Sequence, residues 1–185
     1  MPFSLGQRVD NFETERLRKD GSRVFVSISS GPLIDDAQRG KVDELVQDAV
    51  SKGAQVRVGG ERLDGAGYFY SPTVLAGVPD GARLLKEEIF GPVAPITAFE
   101  TEEEAVARAN ATEYGLSSYV YTRDLARTIR LAERLEFGMV GVNTGLVSNP
   151  AAPFGGVKAS GFGREGGFEG IDEYLDITYV ALAAD

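Results

Sequence analysis

Two stretches of the chain hold residue types that could do chemistry. In Lys86-Glu87-Glu88-Ile89-Phe90-Gly91-Pro92-Val93, a pair of carboxylates precedes an aromatic ring and a Gly-Pro turn. Ionised carboxylates accept hydrogen bonds, so at a turn they can take the hydroxyls of a ribose, and Phe90 can pack on a planar ring. The same residues also read as a solvated acidic pair before an ordinary turn, since glutamate is mostly exposed in folded proteins.

The second stretch runs from Pro153 to Gly167, and within it Gly161, Gly163 and Gly166 spell G-x-G-x-x-G. A dinucleotide fingerprint of that form needs a strand before it, a helix opening at it and an acidic residue about 20 positions on. A Gly/Pro loop precedes these glycines, so the fingerprint is rejected. The glycines instead imply a loop with left-handed backbone or close approaches. Phe154 and Phe162 either wall a pocket in that loop or anchor it.

Absences exclude other chemistries. With no Cys and no His in 185 residues, the chain has no thiolate nucleophile, disulfide or cysteine–zinc site, and no imidazole base. No metal site is expected. A formal charge of −9 at pH 7 disfavours nucleic acid and anionic membranes as partners, because both attract basic patches. No apolar run approaches the roughly 20 residues of a membrane span, and residues 1–13 lack a signal-peptide core. The expectation is a cytoplasmic protein.

Patterning suggests the elements that would position these loops. Phe12–Arg18 and Arg23–Ser29 read as strands joined by Lys19-Asp20-Gly21, a hairpin signal. Val42, Leu45, Val46, Ala49 and Val50 share one face of a helix over Gln38–Lys52, which Gly53 stops. A short strand at Val56–Val58 follows, and Pro72 interrupts a β-prone run from Tyr68 to Leu75. Thr101 with Glu104 forms a capping box for a helix through Asn110. A strand over Ser117–Thr122 precedes a helix capped by Asp124, with Leu125, Thr128, Ile129, Ala132 and Leu135 expected inward. Met139–Val142 is another strand. Glu173–Leu182 reads as a last strand, with Leu175, Ile177, Tyr179 and Ala181 on its apolar face. Alternating strands and helices imply βαβ units and a mainly parallel sheet.

Several segments, taken in order, resemble the C-terminal part of the aldehyde dehydrogenase superfamily. They are Gly31-Pro32-Leu33-Ile34, Glu87-Glu88-Ile89-Phe90-Gly91-Pro92-Val93, Ala109-Asn110 with Tyr114-Gly115-Leu116, Gly141-Val142-Asn143, and Pro153-Phe154-Gly155-Gly156-Val157-Lys158-Ala159-Ser160-Gly161. The resemblance spans residues 31–182. Its tail, Gly163-Arg164-Glu165-Gly166 with Gly170-Ile171-Asp172-Glu173-Tyr174-Leu175, is most similar to the succinate-semialdehyde dehydrogenase branch.

The resemblance implies an α/β fold: a partial catalytic domain over residues 31–170, with flanking helices. A β-hairpin segment (1–30) precedes it and an oligomerisation strand (171–185) follows. It also implies a parent reaction, the NAD- or NADP-dependent oxidation of succinate semialdehyde or a related aldehyde, through a thiohemiacetal on cysteine. Carried over by motif, Glu88 meets the nicotinamide ribose and Phe90 packs near the nicotinamide. Asn143 shapes its loop. Ser148 touches a substrate carboxylate, and Phe154 walls the substrate pocket.

Two departures accompany the match. The family's nucleophilic cysteine, general-base glutamate and Rossmann half lie upstream of the segment matched here, so no catalytic residue is expected in this chain. One ribose contact contributes on the order of 1–3 kcal/mol, so cofactor binding should be weak or absent. The alternative reading is a non-catalytic fragment that assembles as a homo-oligomer through its C-terminal strand. Residues 9–30 resemble the closing strands of a PAS domain instead, and about twenty residues are too few to build that fold.

Overall fold

Helix α1 (Asp36–Ser51) starts where Asp35, in extended backbone, accepts a hydrogen bond from the Gln38 N–H on its carboxylate at 2.8 Å. This satisfies one of the donors that a helix start leaves unpaired. The helix buries Val42, Leu45, Val46 and Ala49, at the spacing of a single face. Its end is a paired one: Gly53, at φ +109°, donates to Val50 O and Ala54 donates to Ala49 O, the left-handed stop that glycine allows.

The computed structural model describes the backbone of residues 9–17 and 23–30 and all of residues 32–183, and the chain divides into two compact units, 1–98 and 99–185. In the first unit, β1 (Val9–Leu17) pairs antiparallel with β2 (Arg23–Ser30). The expected Lys19-Asp20-Gly21 turn lies outside the described residues. A separate sheet holds β3 (Gln55–Val58), β4 (Thr73–Ala76) and β5 (Val93–Ile96) in that order. β3 runs antiparallel to β4, and β5 runs parallel to it.

Pro72 ends the β-prone run early, so β4 begins only at Thr73. The core joins the buried face of α1 to Tyr70, Leu75, Val78, Ala82 and Leu84. Each buried Leu or Val contributes about 1.5–3 kcal/mol. The buried polar side chains of this core have partners among the described residues. The Tyr70 hydroxyl donates to Asp43 at 3.1 Å, and the Thr73 hydroxyl donates to Ser71 O while accepting from the Gly60 N–H. Burial, followed by the Asp43 carboxylate, pushes the Tyr70 phenol well above its ordinary range.

In the second unit, β7 (Ser117–Val120), α3 (Leu125–Arg134) and β8 (Met139–Val142) form a βαβ unit with parallel strands. β6 (Tyr114–Gly115) pairs antiparallel with β9 (Val157–Lys158). α2 (Glu102–Asn110) is capped by Thr101, which accepts from the Glu104 N–H at 3.1 Å. Glu104 reaches back to the Glu100 N–H at 2.8 Å, one residue earlier than the usual capping box. Glu102 receives Arg127 at 3.0 Å and Arg130 at 3.1 Å. Those hydrogen bonds, Arg130 first, hold its carboxyl below the ordinary glutamate range.

Three expectations are corrected. The strands are not mainly parallel: β1–β2 and β6–β9 are antiparallel, β7–β8 is parallel, and β3–β4–β5 is mixed because β3 reaches β4 through a loop with no helical crossover, and only a crossover returns a strand parallel. α3 does not bury the expected face: Leu125 is 73% and Ile129 53% exposed, Ala132 is exposed as well, and Thr128, Leu131 and Leu135 are half-buried. Residues 175–183 form no strand. Glu169–Tyr174 is a 3₁₀ turn, and the tail beyond it pairs with no described strand, leaving Ile177 100% exposed. Alternation makes a segment fit for a sheet, but a ladder exists only where a partner edge is present.

Candidate functional site

In the first unit the two carboxylates of the acidic pair have different fates. A 3₁₀ turn at Arg83–Leu85 places Arg83 to bond Glu87 through two nitrogens, at 2.7 and 3.0 Å. That pairing holds the Glu87 carboxyl below its usual range. The turn is anchored to α1, because Asp48 accepts from the Arg83 N–H at 2.9 Å and pairs with Lys52 at 2.8 Å. Glu88 is exposed and has no hydrogen bond or ion pair with any described residue. Its oxygens are therefore available as acceptors.

Phe90 follows at φ +47°, a left-handed backbone uncommon for an aromatic residue, with 59% of the residue exposed. Both carbonyls of the turn are capped, since the Gln38 side-chain amide donates to Ile89 O at 3.0 Å and to Phe90 O at 3.1 Å. Gly91 lies so close to α1 that a Cβ there would fall 2.6 Å from a Val42 methyl. Phe90 and Gly91 line an apolar cleft of about 320 Å³ together with Pro32, Leu33 and Ile34. Two motifs far apart in sequence thus meet here. Glu88 itself is not among the residues that line this cleft; it stands two positions before Phe90 in the chain.

In the second unit, Ser148 and Phe154 line one cavity of about 290 Å³ with Asn149, Ala152, Glu165 and Gly166. Phe154 is fixed by a two-way backbone pair with Glu165, both bonds 2.7 Å. Ser148 is exposed and has no hydrogen bond to another described residue. No cation lines this cavity, and its one charged lining residue is the acidic Glu165. Phe162 is fully exposed and does not anchor the glycine loop. The guanidinium of Arg164 holds the loop instead, donating to Gly156 O at 2.8 Å and Gly163 O at 2.7 Å. Asn143 shapes its turn at φ +53°, its amide exchanging two hydrogen bonds with the Thr122 backbone.

Three residues were given no role from sequence, although two of them, Asn110 and Lys158, lie in the family motifs. Gln38 is one, and its position one turn before Val42 on the helix face was the available signal. Asn110 accepts from Glu136 N–H and donates to Arg134 O, tying α2 to the end of α3. Lys158, at φ +56°, donates to Asn110 O and pairs with Glu136 at 2.6 Å. A larger cleft of about 540 Å³ lies among α2, α3 and β7 and holds none of the predicted site residues. Its lining is mostly apolar, and the buried Ser118 hydroxyl there has no partner among the described residues.

Comparison with known proteins places this geometry. The model of the aldehyde dehydrogenase family matches residues 13–180, a span that takes in most of the hairpin compared above with a PAS domain. A succinate-semialdehyde dehydrogenase of Paenarthrobacter nicotinovorans is 58% identical over 153 residues, covering 83% of this chain and 34% of the relative. A glutarate-semialdehyde dehydrogenase of Pseudomonas aeruginosa is 53% identical over 162 residues, covering 88% of this chain and 34% of the relative. Among solved structures, an NADP-dependent enzyme of E. coli superposes with a TM-score of 0.78 at 51% identity, over 84% of this chain and 32% of that one. The chain spans about a third of the length of each.

Proposed function

The chain belongs to the aldehyde dehydrogenase family, and from that premise we propose that residues 31–170 are part of a catalytic domain. Its parent reaction is the NAD- or NADP-dependent oxidation of succinate semialdehyde or a closely related semialdehyde. The observation that carries this reading is the meeting of Pro32, Leu33 and Ile34 with Phe90 and Gly91 around one cleft, while Glu88, two residues before Phe90, is exposed and has no partner among the described residues. Glu88 accepts the nicotinamide ribose hydroxyls, and Phe90 offers its ring to the nicotinamide. When bound, the cofactor supplies a hydride acceptor. Ser148 and Phe154 present a hydroxyl and an apolar wall to the substrate. With no cation in that cavity, the hydroxyl contributes only about 1 kcal/mol to recognition.

By itself this chain does not carry out the oxidation, because a covalent route needs a nucleophile and the chain has no cysteine. Incubated with succinate semialdehyde and NAD or NADP, it is expected to produce no reduced cofactor above a buffer blank. Turnover clearly above the blank would refute this. Calorimetry should show cofactor binding far weaker than micromolar, and micromolar binding lost in Glu88→Gln would contradict it.

A second reading, a non-catalytic oligomerisation or interaction module, is favoured by the tail. Residues 175–183 leave Leu175, Ile177, Tyr179, Val180 and Leu182 exposed, and such a β-prone segment completes its hydrogen bonds on the sheet edge of another copy. Light scattering after size exclusion should give dimers or larger species. A clean monomer unchanged by deleting residues 173–185 would remove this reading.

A further inference from the structure

Gln38 and Val42 stand four residues apart on α1, so they share one face, and both touch the loop that carries Glu88 and Phe90. Val42 packs against Gly91, while the Gln38 amide spans Ile89 O and Phe90 O at 3.0 and 3.1 Å. Phe90 at φ +47° adopts a backbone that an aromatic residue seldom keeps unless its surroundings over-determine it. The left-handed turn aims two successive carbonyls at α1. One NH₂ group with two hydrogens satisfies both, which a hydroxyl or an apolar side chain cannot do. Asp35 holds the Gln38 N–H, so the side chain departs from a fixed point.

We propose that Gln38 is the positioning residue that sets the left-handed turn at Phe90 and so presents Glu88 and Phe90 to the cofactor. The inference rests on the reading of Glu88 and Phe90 as cofactor contacts. The same helix that builds the core thereby orients the loop, and it does so with hydrogen-bond donors rather than with apolar volume.

Nuclear magnetic resonance on the full chain tests this. A residue at positive φ has a short distance between its own amide and α protons, giving a strong intraresidue cross-peak. Wild type should show it at Phe90. Gln38→Leu, which keeps volume without donors, and Gln38→Glu, whose anion faces two carbonyls, should reduce it to the weak peak of ordinary backbone. Gln38→Lys, which restores an N–H donor, should recover it.

In all three variants the shifts of Val42 to Ala49 should stay native. A role in packing alone gives the opposite order, with Leu tolerated and Lys disruptive, and that result would overturn the proposal. So would a strong peak retained in both Leu and Glu variants. Saturation transfer from Phe90 to NADP in wild type addresses the underlying reading separately. If that transfer is absent while the Phe90 cross-peak follows the donor series, the cofactor reading falls and the Gln38 assignment stands.

Discussion

The Glu88–Phe90 loop rests on a buried helix, whereas the Ser148–Phe154 loop rests on backbone pairs. In the first unit, Val42 and Gln38 of α1 contact the loop directly, and the rest of that helix face is core. In the second, the Phe154–Glu165 backbone pair and the Gly167 N–H bond to Pro150 O hold the loop, and α3 contributes no buried residue. A loop braced by a core inherits the cooperativity of that core. A loop braced by exposed polar bonds opens locally, at lower free energy.

The largest expected effect breaks the first brace. Leu45→Ala leaves a cavity at a fully buried position and should cost about 2–5 kcal/mol. Residue-resolved amide exchange should show lost protection across α1 and β4. Retained protection there would mean that the core does not support that unit as described.

A smaller effect is expected at Gly138 in the second unit. A Cβ there would lie 2.0 Å from the Gly155 carbonyl oxygen, so Gly138→Ala forces the Phe154–Gly156 segment away, at roughly 1–3 kcal/mol. Thermal unfolding should register the loss, and the Phe154 and Glu165 amides should exchange faster. Unchanged exchange at those two amides would show that the segment is not pinned by this approach.

The smallest effect is electrostatic. Glu102 is held below the ordinary glutamate pKa by Arg130 and Arg127, so it binds its proton less readily folded than unfolded. Its contribution is fully present above the unfolded value of about 4.3 and is lost as pH falls through the lower folded value. Comparing wild type with Glu102→Gln should show a difference in melting temperature at pH 7 that shrinks as the pH falls below 4. It should also weaken with salt, as exposed ion pairs do. A pH-independent difference would assign the effect to packing.

Much of the second unit's local structure was legible because its signals are local. Thr101 and Asp124 cap the helices they were expected to cap, and Met139–Val142 is a strand. The face of α3 was not legible. Leu125, Ile129 and Ala132 recur at helical spacing, and that spacing says which residues share a face but not whether anything covers it. Of the site, Ser148 and Phe154 do share a cavity, as do the two motifs around Phe90. Glu165 in the same cavity was not foreseen, because a backbone pair between residues eleven apart, Phe154 and Glu165, brings it to that lining.

From residue types and spacing alone came the α1 helix with its glycine stop, the family motifs, and the exclusion of thiol and imidazole chemistry. A helix closes its hydrogen bonds within four residues, and a missing side chain is missing in any fold. Tertiary structure alone divided Glu87 from Glu88, since the two are neighbours of one type and only the Arg83 turn pairs one and leaves the other exposed. It alone set the mixed sheet and left the tail without a ladder. A strand's hydrogen bonds go to a partner that the strand's own residues do not name.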